Sequence, residues 1–206
     1  NSVKVTSSDV NNGRAFYNNQ GSNEDVRNNI FSNFGGGYAY YSNIATTFVI
    51  SDYNNLFTTG NYLAYVNGNY QDLYSLRTAV SKEANSISVN PVFDAFLHTS
   101  SSFVNNKGTS IAAVLKDVDG ETRSLSTPDS GADEFTPGQS PLAGNYTIGG
   151  TSPSFASFTL AATALNERGV SGPVVFNVRS GSYVEKLILY EVSGASATNN
   201  IVFQSE

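Results

Sequence analysis

Short apolar segments, separated by asparagine and glycine, recur along the first 70 residues of the chain. The segments that match one another lie at 1–3 and 15–18, at 27–33 and 38–43, and at 52–58 and 62–67. The Asn-Asn pair of the second set precedes that of the third by 26 residues, and the segments that follow these pairs are 24 residues apart. A period of about 20–50 residues with short strands is typical of a β-solenoid. We therefore predict three coils of a parallel β-helix.

The repeated asparagines have a structural role in this prediction. Asn28 and Asn29 recur as Asn54 and Asn55, and the amide of an asparagine at a turn can hydrogen-bond to its counterpart on the next coil. The alternative is a row of polar groups that bind a ligand. We favour the structural role, because a stack of coils needs such contacts wherever the same turn recurs.

The repeat fades after Tyr70, and other elements are predicted beyond it. Leu73, Leu76 and Val80 have helical spacing and predict a short helix within 71–84. Strand-like segments then follow at 86–89, 92–96 and 111–115.

A second group of elements is predicted near the C-terminus. Ser152 is positioned to cap a helix that begins at Pro153 and ends at Gly169. The apolar face of this helix would consist of Phe155, Phe158, Ala162 and Leu165. Strands are predicted at 174–178, 184–190 and 201–203.

The composition excludes several kinds of chemistry. The chain has no Cys, Met or Trp, and His98 is its only histidine. Disulfides, cysteine-based metal sites and sites with paired histidines are therefore excluded, and a Ser-His-Asp triad would depend on one residue. The formal charge of −6 and the scattered basic residues make nucleic acid a poor partner. No apolar run is long enough for membrane insertion.

The densest group of acidic residues lies between 117 and 134. Oxygen-rich clusters suit Ca²⁺, and five of these residues are candidate calcium ligands: Asp117, Asp119, Glu121, Asp129 and Asp133. The spacing is not that of an EF-hand, because Pro128 stands where the loop needs a bidentate Glu. The alternative, which we favour, is that the acids stabilise turns and that Arg123 pairs with Asp129 or Asp133 to close the last coil.

The other candidate residues have simpler interpretations. No partner for His98 as a catalytic base is evident, and Asp52 begins a repeated turn. Tyrosines are numerous enough that some must lie on the surface, where their rings could stack on sugars. They are Tyr38, Tyr40, Tyr41, Tyr53, Tyr62, Tyr65, Tyr70 and Tyr74.

Three segments resemble parts of a known class of proteins. The sequence DVDGETR at 117–123, followed by PDSGADEF at 128–135, resembles the closing motif of right-handed parallel β-helix domains in large exported bacterial proteins. That motif is written D-x-D-G-x-x-R and D-I-G-A-D-E-[FY], and Ser130 replaces its usual Ile. The segment 85–93 resembles the N-S-I-S-x-x-P-x-F segment of the same class, and 144–150 resembles the opening of a second such domain in secreted proteins of Bacteroidota.

The resemblance implies an all-β fold of the pectate-lyase-like or choice-of-anchor type. Residues 1–136 would be the last coils and closing motif of one right-handed parallel β-helix. A linker at 137–143 would lead to the cap helix and first coils of a second β-helix at 144–206. We also expect the chain to be a piece of a longer protein.

The resemblance also implies a function. The chain would be a non-enzymatic segment of a large secreted protein, an adhesin or stalk on the outer-membrane exterior of a Bacteroidota cell, exported by type IX secretion. Its partners would be a polysaccharide or surface glycan and the outer-membrane secretion machinery, with no cofactor apart from the candidate calcium ion. The alternatives are the non-catalytic part of a pectate-lyase-like, polysaccharide-degrading enzyme and a passive cargo or spacer region.

Overall fold

The architecture comes from a computed structural model of the chain. It describes residues 1–21, 23–44, 48–137, 140–187, 189 and 192–206, and only the main chain of residues 48 and 49. The chain divides into two compact units. The first unit comprises Asn1–Thr99 and Val104–Thr136, and the second comprises Ser100–Phe103 and Pro137–Glu206.

The first unit is a β-solenoid. Its strands are β1 (Ser2–Val5), β2 (Arg14–Asn18), β3 (Glu24–Arg27), β4 (Ile30–Asn33), β5 (Tyr38–Ser42), β6 (Phe48–Asp52), β7 (Asn55–Thr58), β8 (Ala64–Val66) and β9 (Asn69–Tyr70). Three parallel sheets form, with the orders β1-β4-β7, β2-β5-β8 and β3-β6, and β9 pairs with β8 in the antiparallel direction. Successive coils thus stack strand on strand, and the predicted parallel β-helix is confirmed.

The register of the first sheet differs by one residue from the sequence alignment. Ile30 pairs with Asn55, so equivalent positions are 25 residues apart and not 26. Asn28 and Tyr53 both adopt a left-handed conformation with φ of 58°, which makes them the same turn position on two coils. The turn conformation therefore sets the register, and the Asn-Asn pair slips by one. The 24-residue spacing of the second sheet is as predicted.

The predicted asparagine ladder forms along one edge of the coils. Asn1 Nδ2 donates to Asn29 Oδ1 at 2.9 Å, and Asn29 Nδ2 donates to Asn54 Oδ1 at 3.0 Å. Asn28 and Asn55 do not join this ladder, because each exchanges two hydrogen bonds with the main chain of a later segment. The four asparagines are therefore structural, in two different ways.

The helix predicted after Tyr70 is also present. It is α1 (Leu73–Val80), and the carboxylate of Asp72 accepts a hydrogen bond from Ser75 N at 2.7 Å at its start. Leu73 and Leu76 are buried. The helix ends at Ser81, which is left-handed.

A buried carboxylate follows this helix. Glu83 is 1% exposed and accepts hydrogen bonds from the hydroxyls of Ser51 and Ser86 and from Asn54 Nδ2. Burial raises its pKa, and the charge of Asp52 acts in the same direction. The three hydrogen bonds act in the opposite direction without cancelling the effect of burial.

The strands predicted at 86–89, 92–96 and 111–115 do not form. Isolated bridges link Asn55 to Ile87, Phe93 to Thr99 and Lys116 to Thr122. The cause is local, because side chains in this region take main-chain N–H groups that a strand ladder would use. Asn90 accepts from Val92 N, and Asp94 accepts from Phe96 N.

The second unit contains a parallel sheet and one helix. Its elements are β10 (Leu142–Ile148), α2 (Phe158–Arg168), β11 (Val170–Val178) and β12 (Ile201–Ser205), with the strand order β10-β11-β12. Two predicted strands therefore correspond to β11 and β12. No strand forms at the described residues of the third, 184–190, of which residues 188 and 190 lie outside the described part. In the predicted linker 137–143, residues 138 and 139 are likewise outside it.

The helix of the second unit begins later than predicted. Its N-cap is Ser157, whose hydroxyl accepts from Leu160 N at 3.2 Å. Phe155 forms a bridge with Ile148 of β10 and so cannot start the helix. The predicted stop at Gly169 is confirmed, and this glycine has φ of 60°.

The core of the second unit is built around a phenylalanine. Phe176 is fully buried, and its ring stacks on Phe203 with centroids 4.7 Å apart and planes 15° apart. Phe203 also stacks on Phe158 at 5.9 Å. Among the described residues of 140–206, the buried side chains are all apolar: Leu142, Ile148, Ala161, Ala162, Ala164, Leu165, Val170, Val174 and Phe176.

Candidate functional site

Asp117 organises the turn that precedes the closing motif. Its Oδ1 accepts from the main-chain N–H groups of Asp119 (3.0 Å) and Glu121 (2.7 Å), and its Oδ2 accepts from that of Glu134 (3.1 Å). Gly120 lies within this turn at φ of 87°, a conformation that glycine adopts without strain. Both carboxylate oxygens of Asp117 therefore serve the main chain.

Asp129 has a similar task in the closing motif. Its Oδ1 accepts from Asn106 N at 2.6 Å, and its Oδ2 accepts from Phe135 N at 2.8 Å. Burial raises the pKa of this carboxyl to about 6, and the charge of Glu134 adds to the effect. The two hydrogen bonds and the charge of Arg123 oppose it.

Arg123 closes the motif through a different partner from those predicted. The guanidinium is buried and donates to the main-chain oxygens of Gly131 (3.1 Å) and Asp129. Its Nε lies 3.5 Å from the Glu134 carboxylate. The predicted ion pair with the side chain of Asp129 or Asp133 is wrong, because carbonyl groups of the same loop and Glu134 surround the guanidinium.

Two of the sequence candidates meet the only histidine of the chain. His98 Nε2 lies 3.0 Å from Asp119 Oδ2, and one ligand atom each from His98, Asp119 and Asp133 lies within 4.8 Å of the others. We call these three residues the acid–histidine cluster. The remaining candidate, Glu121, is exposed and does not belong to it.

The cluster has a fourth acidic neighbour on its other side. His98 Nδ1 lies 3.3 Å from Asp94 Oδ2, while Asp94 Oδ1 accepts from the main-chain N–H of His98 at 3.0 Å. Partial burial opposes the charged imidazolium, but Asp119, Asp133 and Asp94 outweigh it, so that the pKa of His98 is raised. Burial raises the pKa of Asp133, and the imidazolium opposes this.

Sequence reasoning did not connect His98 with these acids. Asp94 is four residues away and was a signal within reach, since an Asp before a turn commonly binds the following main chain. Asp119 and Asp133 come from the closing segment, 104–136, which lacks a repeat that could align them with residue 98.

A second candidate surface lies on the outer side of the β2-β5-β8 sheet. Tyr17, Tyr41 and Tyr65 occupy matching positions on three coils, and we call them the tyrosine ladder. The rings of Tyr41 and Tyr65 stack with centroids 4.5 Å apart and planes 13° apart, and Tyr17 lies 5.7 Å from Tyr41. Tyr17, at the end of the ladder, is 49% exposed.

Arg14 covers part of the tyrosine ladder. Its guanidinium carbon lies 3.8 Å from the ring centroid of Tyr41 and 4.6 Å from that of Tyr17. A groove of about 620 Å³ adjoins the end of the ladder. It is lined by Phe16, Tyr17, Asn18, Asn19, Gln20, Glu24, Asp25 and Val26. An exposed aromatic ring thus stands beside polar side chains that can bond hydroxyl groups.

The comparisons with known proteins add no relative. No protein-family model matches the chain, and no match was found among curated proteins or solved structures. In the described part of the chain, neither helix has the length and apolar character that crossing a membrane requires.

Proposed function

We propose that this chain is a non-enzymatic segment of a large exported cell-surface protein, an adhesin or stalk that binds glycans weakly. The observation that carries the proposal is the tyrosine ladder, Tyr17, Tyr41 and Tyr65, which repeats one aromatic position over three coils. Aromatic rings contact the apolar faces of sugars, and tyrosine hydroxyls bond sugar hydroxyls. The groove beside Tyr17 would hold a sugar unit next to such a ring.

The geometry of the ladder defines the mode of binding. Because Tyr41 and Tyr65 cover one another's faces at 4.5 Å, they offer ring edges and hydroxyls. Tyr17 is the most exposed of the three and offers more of its ring. Each contact is weak, but several contacts to one polymer combine into useful avidity.

The cellular setting in this proposal rests on the resemblance of the closing motif at 117–135. It comprises a Bacteroidota cell, export by the type IX route, the outer-membrane secretion machinery as a partner, and a location on the cell surface. A β-solenoid fold is compatible with adhesins and with enzymes, so the test must separate binding from cleavage.

The test is affinity electrophoresis of the 206-residue chain against a panel of neutral and acidic polysaccharides, together with an assay for new reducing ends. We expect retardation by at least one polymer without cleavage. The double variant Tyr17→Ala/Tyr65→Ala should weaken binding by about 5-fold or more. Tyr74→Ala is the matched control, since Tyr74 is 78% exposed on α1 and outside the ladder.

Three outcomes would contradict the proposal. Equal retardation of the double variant and the wild type would remove the ladder from the binding site. Release of reducing ends would favour the polysaccharide-degrading alternative. Failure of the chain to bind any polymer would leave the spacer role.

A further inference from the structure

Asp133 is a buried carboxylate without a hydrogen-bond donor. It is 8% exposed, and across the described residues no N–H or O–H group donates to its side chain. A buried carboxylate in this position is costly unless a cation or donor compensates it. This contrasts with Asp117 and Asp129, whose oxygens each accept main-chain hydrogen bonds.

The Asp133 carboxylate faces a nitrogen that is already oriented. Asp94 lies against His98 Nδ1 at 3.3 Å, which places the proton on Nδ1 and leaves Nε2 as an electron-pair donor. A carboxylate behind a histidine fixes its tautomer and ring orientation in this way at metal sites. Nε2 lies 3.0 Å from Asp119 Oδ2, so both point into the space that Asp133 borders.

We propose that His98 Nε2, Asp119 and Asp133 bind one Zn²⁺ ion, with Asp94 as the residue that positions the imidazole. Zn²⁺ takes nitrogen and carboxylate ligands at about 2.0–2.2 Å, and three protein ligands leave room for water. Ca²⁺ fits less well, because it prefers six to eight oxygen ligands and three of the five sequence candidates lie outside the cluster. Asp119 is half-exposed, so its side chain can move the short distance that closure on an ion requires.

The ion would have a structural role. His98 lies in the segment after Asn90 that forms no strand, and Asp119 and Asp133 lie in the closing segment 104–136, which also forms none. Zn²⁺ would join these two parts of the first unit where strand pairing does not. The proposal is independent of glycan binding, because none of these residues belongs to the tyrosine ladder.

The test is calorimetric titration of the full chain, prepared without a polyhistidine tag, with ZnCl₂ and separately with CaCl₂. We expect one Zn²⁺ per chain and a melting temperature about 5 °C higher at a hundredfold excess over Kd. His98→Gln and Asp133→Asn should weaken Zn²⁺ binding at least tenfold. Asp94→Asn should weaken it about 10–100-fold. Glu121→Gln is the matched control, a neighbouring acid outside the cluster, and should bind as the wild type does.

A second readout uses the fact that His98 is the only histidine. In ¹⁵N NMR spectra of the wild type, Zn²⁺ should shift the Nε2 resonance strongly and leave Nδ1 protonated. Without metal, Asp133→Asn should melt at a higher temperature than the wild type, since it removes an uncompensated buried charge. Absence of Zn²⁺ binding, stronger binding of Ca²⁺ than of Zn²⁺, an unshifted Nε2, or loss of binding in Glu121→Gln equal to that in Asp133→Asn would each overturn the proposal.

Discussion

The outer face of the first unit and the core of the second contain aromatic pairs of almost the same geometry in different surroundings. Tyr41 and Tyr65 stack at 4.5 Å and 13° on a partly exposed face, whereas Phe176 and Phe203 stack at 4.7 Å and 15° around a fully buried ring. Both pairs lie on adjacent parallel strands in register. Stacking therefore follows from repeating a residue one coil later, and burial decides how much stability it contributes.

The asparagines show the same contrast. Asn29 and Asn54 bond across coils in the interior at 3.0 Å, and Asn43 Nδ2 donates to Asn19 Oδ1 across coils at 2.6 Å on the exposed side. A buried amide that loses its partner cannot turn to water, whereas an exposed one can. The two regions thus provide matched pairs for measuring what burial adds to an identical contact.

The largest effect is expected in the core of the second unit. Phe176→Ala should destabilise that unit by about 3–5 kcal/mol, because it removes a fully buried ring and leaves a cavity beside Phe203. Hydrogen exchange of the amides in β11 and thermal unfolding measure the loss. Phe176→Leu should lose less than half as much, and an equal loss in both variants would show that ring stacking and not cavity volume dominates.

The next effect tests the buried amide of the first unit. Asn54→Ala should cost about 2–4 kcal/mol, since Asn54 accepts from Asn29 N and Nδ2 and donates to Val26 O and Glu83. Asn43→Ala, its exposed counterpart, should cost about 0.5 kcal/mol or less. Urea unfolding of both variants gives the comparison. Equal costs would refute the role assigned to burial.

The ladders account for how far the sequence predicted the fold. Asn29, Asn54 and the ladder tyrosines recur with the coil, so the order of residues alone is enough to predict three coils. The one-residue error arose because Tyr53 takes the left-handed turn position that Asn28 takes on the previous coil, and the side-chain types do not reveal it. Asp119 and Asp133 meet His98 through a segment without a repeat, where only the folded chain can show proximity.

Glu83 supplies a prediction on pH. Its pKa is raised by burial above the ordinary 4.5, so the folded state holds this proton more tightly than the unfolded chain. The contribution is fully present below about pH 4.5 and is lost as pH rises through the folded pKa, by about 1.4 kcal/mol for each pH unit between the two values. Relative to the wild type, Glu83→Gln should therefore gain stability between pH 4.5 and 8.

Urea unfolding of the wild type and Glu83→Gln at several pH values measures this difference. Glu185→Gln is a suitable control, because hydrogen bonds from Thr159 lower the pKa of that exposed carboxyl and the pH effect should have the opposite sign. Parallel stability curves for the wild type and Glu83→Gln would show that Glu83 is not held protonated by the fold.

The smallest effect is expected at the outer ladder. Tyr41→Ala removes the stacked contact with Tyr65 and the cation–π contact with Arg14, at 4.5 and 3.8 Å, and should cost about 1 kcal/mol. Arg14→Lys keeps the charge but loses the planar group that lies over the rings, and should cost about 0.5 kcal/mol. Thermal unfolding of the two variants measures both. If Tyr41→Ala cost as much as Phe176→Ala, aromatic stacking itself, and not the removal of apolar surface from water, would be the main source of stability in both ladders.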